Sequence, residues 1–174
     1  MSTTTIRYIA GDATEPRGHG HKICAHVCND EGRWGRGFVV AVSARWPQPE
    51  AQYRLWHRHR ASNDFGLGAV QLVEVCPDLH IANMIGQHGI RRSRSSHPIR
   101  YDALERCLAT LADHAHTLNA SVHVPRIGTG LAGGTWNKIE PLIIAQLCDN
   151  AIPVTVYDLT PNPADPHPRT SAPR

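Results

Sequence analysis

The stretch that most constrains this chain is Pro125 to Trp136, Pro-Arg-Ile-Gly-Thr-Gly-Leu-Ala-Gly-Gly-Thr-Trp. An apolar strand pattern, Val122 to Val124, runs into it, and a helical pattern, Asn137 to Cys148, runs out. Between them lie Gly128, Gly130, Gly133 and Gly134. Glycine lets a backbone turn tightly and approach a ligand with no Cβ in the way. A helix N-terminus just beyond supplies unpaired N–H groups and a partial positive charge. Strand, glycine loop and helix together suit a phosphate, although a loop that only connects two elements has the same look. No Gly-Lys-Ser/Thr follows the glycines and the Gly-x-Gly-x-x-Gly spacing is missing, which excludes a P-loop and the dinucleotide fingerprint.

The 174 residues match one domain with a real core. A formal net charge of +3 is too small to diagnose a nucleic-acid partner. Lysine occurs only at Lys22 and Lys138, an arginine bias expected of a GC-rich bacterial source. No run reaches the roughly 18 apolar residues of a membrane helix, and no signal-peptide pattern opens the chain, so the cytoplasm is the expected compartment. Five cysteines make no disulfide framework. The twelve histidines are scattered, and Cys24 and Cys28 lie within an apolar strand pattern, so no metal site is expected.

In chain order, Ile6 to Ile9 reads as a short strand stopped at Gly11-Asp12. Asp12 with Glu15 forms a capping box, or else Asp12 accepts a hydrogen bond from a base amine. Ile23 to Cys28 is apolar throughout, as a central parallel strand is. A second glycine loop follows, Asn29 to Gly37, then a helix from Phe38 to Trp46 with Phe38, Val39, Val42 and Trp46 on one stripe. Pro47 ends it. The next helix, Glu50 to Arg60, turns Tyr53 and Trp56 inward and leaves Arg54, Arg58 and Arg60 as a solvated surface. Ala69 to Val75 and His80 to Ile85 form a hairpin. Gly86 to Pro98 is a long, basic, functional or mobile loop. Ile99 to Leu118 is a helix with Leu104, Leu108 and Leu111 at helical spacing, Ser121 to Ile127 is a strand, and Ile152 to Leu159 is the last strand. Thr160 to Arg174 carries five prolines and is expected to be a disordered tail beyond a domain of residues 1–159. The alternation predicts an α/β fold: a mixed, mostly parallel sheet of about six strands between two layers of helices. The Asp12 turn, both glycine loops and the Gly86 loop all follow strands, so they are expected to ring one cleft.

In that order these segments resemble a macrodomain, the ADP-ribose-binding fold, over roughly Ile6 to Leu159. The wording is most similar to the branch of the terminal ADP-ribose protein glycohydrolase and of the antitoxin that removes ADP-ribose from thymidine in DNA. His26 to Gly37 also resembles the fungal ADP-ribose-1″-phosphate phosphatase. The resemblance implies that Asp12 and Ala13 meet the adenine. It implies that Gly35, Arg36, Gly37 and Phe38 hold the diphosphate from one side, with Gly128, Thr129, Gly130, Leu131 and Ala132 on the other. Tyr157 would lie near the adenosine, or be a core tyrosine. Arg91 or Arg92 would reach a phosphate or the linked macromolecule, or be a solvated loop residue. No cofactor is implied, and the expected molecule is a monomer that meets ADP-ribosylated protein or DNA.

The chemistry departs from the family. The glycohydrolase branch carries a lysine where this chain has Gln87, and its protein-directed member has an aspartate where this chain has Ala132. Glutamine neither titrates nor forms a lysyl adduct. Hydrolysis would then rest on positioning a water against the distal ribose. Asn29 and Gln87 are the expected orienting groups, and Asp30 and His88 the titratable groups nearest in sequence. A non-catalytic reader of ADP-ribose is the rival expectation. A phosphatase that depends on His26 is the third, with a buried structural histidine as its alternative. Gly128→Glu is expected to fill the diphosphate site.

Overall fold

The computed structural model describes residues 2–159; the expected proline-rich tail, residues 160–174, lies outside the described residues. Six strands form one sheet: β1 (Ile6–Ala10), β2 (Lys22–Asn29), β3 (Val70–Cys76), β4 (Leu79–Gln87), β5 (Ser121–Val124) and β6 (Val154–Asp158). The helices are α1 (Phe38–Arg45), α2 (Gln48–Arg58), α3 (Tyr101–Leu118) and α4 (Trp136–Gln146). The sheet order is β1-β6-β5-β2-β4-β3. Every pairing is parallel except the β3–β4 hairpin.

Strand periodicity divides the core in two. Ile23, Ala25, Ala82, Met84, Val122, Val124, Val154 and Val156 face α3 and α4. Ile9, Cys24, Cys28, Ile81, Ile85 and Tyr157 face α1 and α2. Because β2 is sandwiched between β5 and β4 with helices over both faces, nearly all of it is buried. The α3 stripe of Leu104, Leu108 and Leu111 is fully buried at helical spacing.

Several element ends differ from the sequence expectation by one to three residues. Ser121 to Ile127 stops as a strand at Val124, because Pro125 has no N–H to continue the ladder. The final helix stops at Gln146 and tightens into a 3₁₀ turn, Cys148–Asn150. The parallel strands β1, β2, β4, β5 and β6 all end at one sheet edge, where ligands bind in folds of this class. None of the described helices is long and apolar enough to cross a membrane.

Candidate ADP-ribose site

At that edge lies a cleft of about 1410 Å³, lined by Gly11 to Ala13, His26 to Asn29, Arg33 to Val39, Ala41, Arg54, Gln87, Ile90, Pro125 to Ala132 and Tyr157 to Leu159. The convergence of four loops on one cleft, expected from strand order, is present.

The loop after β2 is built from its own side chains. Asn29 Nδ2 donates to the Arg33 carbonyl at 2.8 Å, and Asn29 Oδ1 accepts from the N–H groups of Glu31 (3.0 Å) and Arg33 (3.1 Å). From beneath, the buried Tyr53 hydroxyl reaches Asn29 O at 2.6 Å and Oδ1 at 3.0 Å. Burial pushes the Tyr53 phenol pKa well up, so it stays a donor. Arg54 braces the same loop by donating to the carbonyls of Trp34 (3.2 Å) and Gly32 (3.3 Å) while paired to Glu50 at 2.9 Å. It is therefore a scaffold of the site, not the purely solvated side chain expected; helical periodicity alone could not show which loop it meets. The loop ends at Gly37, whose φ of 80° turns the chain into α1 without a side-chain cap.

In consequence the N–H groups of Gly35, Arg36, Gly37 and Phe38 have no acceptor among the described residues. The loop after β5 repeats the arrangement. Gly133 N donates to Gly130 O (3.0 Å) and Gly134 N to Gly128 O (2.7 Å), which curls the loop on itself. The N–H groups of Gly128, Gly130, Leu131 and Ala132 are likewise without an acceptor. Thr129 N and Oγ1 both turn back to Arg126 O. The loops meet across the cleft: a Cβ built on Gly37 would stand 3.7 Å from Leu131 Cδ1. Unpaired N–H groups in two such loops make an anion nest.

Gly128 plays a different part from the one expected. A Cβ there would press to 3.0 Å on both Ile99 Cδ1 and Ile139 Cδ1, into the core and not into the cleft, and its φ is +74°. Gly130 is the open position, with nothing within 4 Å.

At the other end, Asp12 Oδ1 accepts from Thr14 N (2.8 Å) and Oγ1 (2.7 Å). This is a side-chain-closed turn and no helix follows, which removes the capping-box alternative. Arg45 donates to Thr14 Oγ1 at 2.7 Å, pairs with Glu15, and stands 3.9 Å from Asp12 Oδ2. Ala13 is buried beneath the turn. Tyr157 is 3% exposed. Its hydroxyl accepts from Arg17 N and meets His123 Nδ1, both at 2.8 Å, so it serves as core and cleft wall at once. Burial and the Lys22 charge lower the His123 pKa to about 4. Sequence reasoning missed the neighbouring support. Arg126 makes a two-pronged ion pair with Asp158, both bonds 2.9 Å, with its guanidinium 4.8 Å over the Tyr8 ring and 4.9 Å from Trp136.

The four residues expected to handle the chemistry separate. Asn29 and Gln87 line the cleft. Gln87 Nε2 is anchored on Gly89 O at 2.9 Å, and nothing among the described residues donates to its Oε1. Asp30 and His88 do not line the cleft. They bridge at 2.6 Å, and Asp30 Oδ1 also takes Gly89 N at 2.8 Å, so the pair latches the loop after β4 to the loop after β2. Arg91 is exposed outside the cleft wall; its neighbour Ile90 occupies the wall instead. His26 is 2% exposed, with Nε2 2.7 Å from Asn83 Oδ1 and the Trp34 and Phe38 rings against it. Burial lowers its pKa to about 4. No cluster of metal-ligating side chains occurs among the described residues.

No protein-family model matches the chain. A solved macrodomain protein from Streptomyces coelicolor is 60% identical, covering 88% of this chain and 99% of its own, with a TM-score of 0.80. The chain belongs to the macrodomain family. A Bacteroides thetaiotaomicron protein of unknown function resembles this macrodomain at 51% identity, over 90% of this chain and 99% of its own, with a TM-score of 0.87. Chromodomain-helicase-DNA-binding protein 1-like is 34% identical in Mus musculus and 33% in Danio rerio. The macrodomain spans 18% and 16% of those longer relatives. At greater distance, the macrodomain of Mycobacterium tuberculosis DarG (23% identical, TM-score 0.71) and Thermosipho africanus DarTG in complex with ADP-ribose (18%, 0.64) share the fold. An ADP-ribose 1″-phosphate phosphatase from Lodderomyces elongisporus is 23% identical over 151 residues.

Proposed function

We propose that this macrodomain, residues 1–159 acting as a monomer, binds ADP-ribose and hydrolyses it from modified macromolecules. The observation that carries the binding is the set of unpaired N–H groups from two glycine loops lining one cleft. A diphosphate placed between them would be held by charge-assisted hydrogen bonds and the N-terminus of α1, with no lysine needed. Asp12 Oδ2 would take the adenine amine. The ligand named with the Thermosipho africanus neighbour agrees with this reading.

The proposed reaction breaks the bond from the anomeric carbon of the distal ribose to the linked atom, and the water oxygen takes its place. Asn29 holds the loop in shape, and Gln87 Oε1, at the cleft wall, accepts a hydrogen bond from the water or the ribose hydroxyl. The diphosphate held close by favours the oxocarbenium-like transition state. The water's proton leaves with the departing group. Without a catalytic acid in the wall, the departing group must be stable as its conjugate base. An ester carboxylate and the imide nitrogen of thymidine meet that condition; a guanidine does not.

One observation favours a reader instead: the titratable pair Asp30–His88 is latched outside the cleft wall. The phosphatase reading has less support, because burial holds the His26 ring neutral and its Nε2 is engaged with Asn83 Oδ1. The deciding experiment measures free ADP-ribose released from a glutamate-ester-modified protein and from ADP-ribosylated thymidine DNA. Release proportional to protein concentration is expected from at least one; none from either, by folded protein that binds ADP-ribose, would leave the reader.

A further inference from the structure

A second concavity, about 340 Å³, lies on the outer side of the loop after β2, lined by Gly32, Arg54, His57, Arg58 and Arg60 and by no carboxylate. Arg54 lines both this concavity and the main cleft, so the two share a wall. Gly32 is pinned under the His57 ring: a Cβ there would fall 2.4 Å from His57 Nδ1, and the ring packs edge-on to Phe65 at 5.1 Å. The floor is thus closely packed. Two of its three cations are little used by the fold, whereas Arg54 is paired to Glu50 and braces the loop. Arg58 has no hydrogen-bond or ion-pair partner among the described residues, and Arg60 donates only to the His57 carbonyl, at 3.0 Å. Basic residues in a last helical turn suit the helix dipole. That accounts for Arg58 at the end of α2 but not for three guanidiniums bordering one cavity.

The loop after β4, whose Gln87 and Ile90 line the cleft, carries a second group of basic residues. Arg91, Arg92 and Arg94 are exposed there and pair with no carboxylate among the described residues. The Asp30–His88 latch, with Asp30 N on Gln87 O at 3.0 Å, ties this loop beside Asn29 and Gln87. Exposed guanidinium groups are therefore carried both by the concavity behind the loop after β2 and by the loop after β4, two loops that line the cleft. An acidic side chain on a protein would need one of them. A strand with a phosphate at every nucleotide would use both groups, and the planar fork of arginine matches phosphate oxygens two at a time.

We propose that the concavity of Arg54, Arg58 and Arg60 holds a backbone phosphate of a nucleic-acid strand, next to the nucleotide whose ADP-ribose occupies the main cleft. The inference rests on the reading of that cleft as the ADP-ribose site. It assigns the strand, and not a protein surface, as the macromolecule this face fits.

The test uses the full chain and a dye-labelled, unmodified single-stranded DNA 12-mer, read by fluorescence anisotropy across a salt series. The variant is Arg58→Glu/Arg60→Glu, two exposed changes outside the core. The wild type is expected to bind the strand at low salt, and the variant to bind at least about tenfold more weakly with a log–log salt slope shallower by about 1 to 2. ADP-ribose affinity should be unchanged, which shows that the variant is folded. Equal strand affinity in the two proteins would overturn the proposal, as would an acidic phosphopeptide of equal charge that displaces the strand as well as unlabelled DNA does. Failure of the wild type to bind ADP-ribose would instead overturn the reading of the main cleft, and is seen separately by calorimetry.

Discussion

Gly130→Glu separates the proposed diphosphate site from the fold. Gly130 has no left-handed φ, it is exposed, and a Cβ there meets nothing within 4 Å. The substitution thus needs no backbone strain, and the loss of glycine freedom in the unfolded chain favours the folded state slightly. What it adds is a carboxylate on the wall that holds the unpaired N–H groups of Gly130, Leu131 and Ala132. A carboxylate about 4 Å from a diphosphate oxygen, at an effective dielectric constant of about 20, repels it by about 4 kcal/mol. At about 1.4 kcal/mol per decade, ADP-ribose affinity should fall by about a thousandfold. Calorimetry gives the affinity, and a thermal melt with and without ADP-ribose gives the control. The variant should melt within a few degrees of the wild type but lose the ligand-induced rise. A folded Gly130→Glu protein that binds ADP-ribose within about threefold of wild type would refute the assignment of this loop, since no such repulsion would then be present.

Gly128→Glu should do the opposite: its inward Cβ and φ of +74° make it a fold lesion, destabilised by at least about 2 kcal/mol and melting well below Gly130→Glu. A Gly128→Glu protein of native stability would contradict the packing against Ile99 and Ile139. Gln87→Ala should slow ADP-ribose release by about a hundredfold while leaving ADP-ribose affinity within about threefold, because it removes the partner of the water in the proposed reaction and otherwise only the hydrogen bond to the Gly89 carbonyl. Unchanged turnover removes Gln87 from the reaction. Asp30→Ala should release the latch between the two loops; with His88 largely exposed, the stability loss should stay near 1 kcal/mol while ADP-ribose binding weakens about threefold to tenfold. Wild-type affinity in that variant would show that the latch does not shape the cleft. His26 and His123 are buried neutral with pKa values lowered to about 4 from the ordinary 6.5. Above pH 6.5 neither state of the protein is protonated at these rings. As pH falls from 6.5 toward 4 the unfolded chain takes up protons that the folded chain refuses, so stability is lost, about 2.5 kcal/mol per histidine at pH 4.5. An NMR titration of either ring with a midpoint above 6 would refute the buried neutral assignment.

What the sequence by itself determined is local. A strand buried on both faces needs near-continuous apolar residues, so Ile23 to Cys28 reads as central. A helix with one buried stripe needs 3.6-residue spacing, so Leu104, Leu108 and Leu111 read as core. Glycine loops between a strand and a helix are visible wherever they occur, and the absence of lysine at position 87 is plain from the letters. Only the tertiary structure decided which of those glycines faces the cleft. Gly128 and Gly130 lie two residues apart in one motif, yet one Cβ direction enters the core and the other opens to solvent, because the loop curls on its own hydrogen bonds. The same holds for charge. Asp30 and His88 are 58 residues apart and meet because β2 and β4 are parallel neighbours, and Arg54 reaches the carbonyls of Gly32 and Trp34 only once α2 has packed behind the loop. Periodicity is a property of neighbouring residues and can be read along a chain. The direction of a side chain at a loop, and the partner it finds there, follow from which strands lie side by side, and that is set by long-range packing.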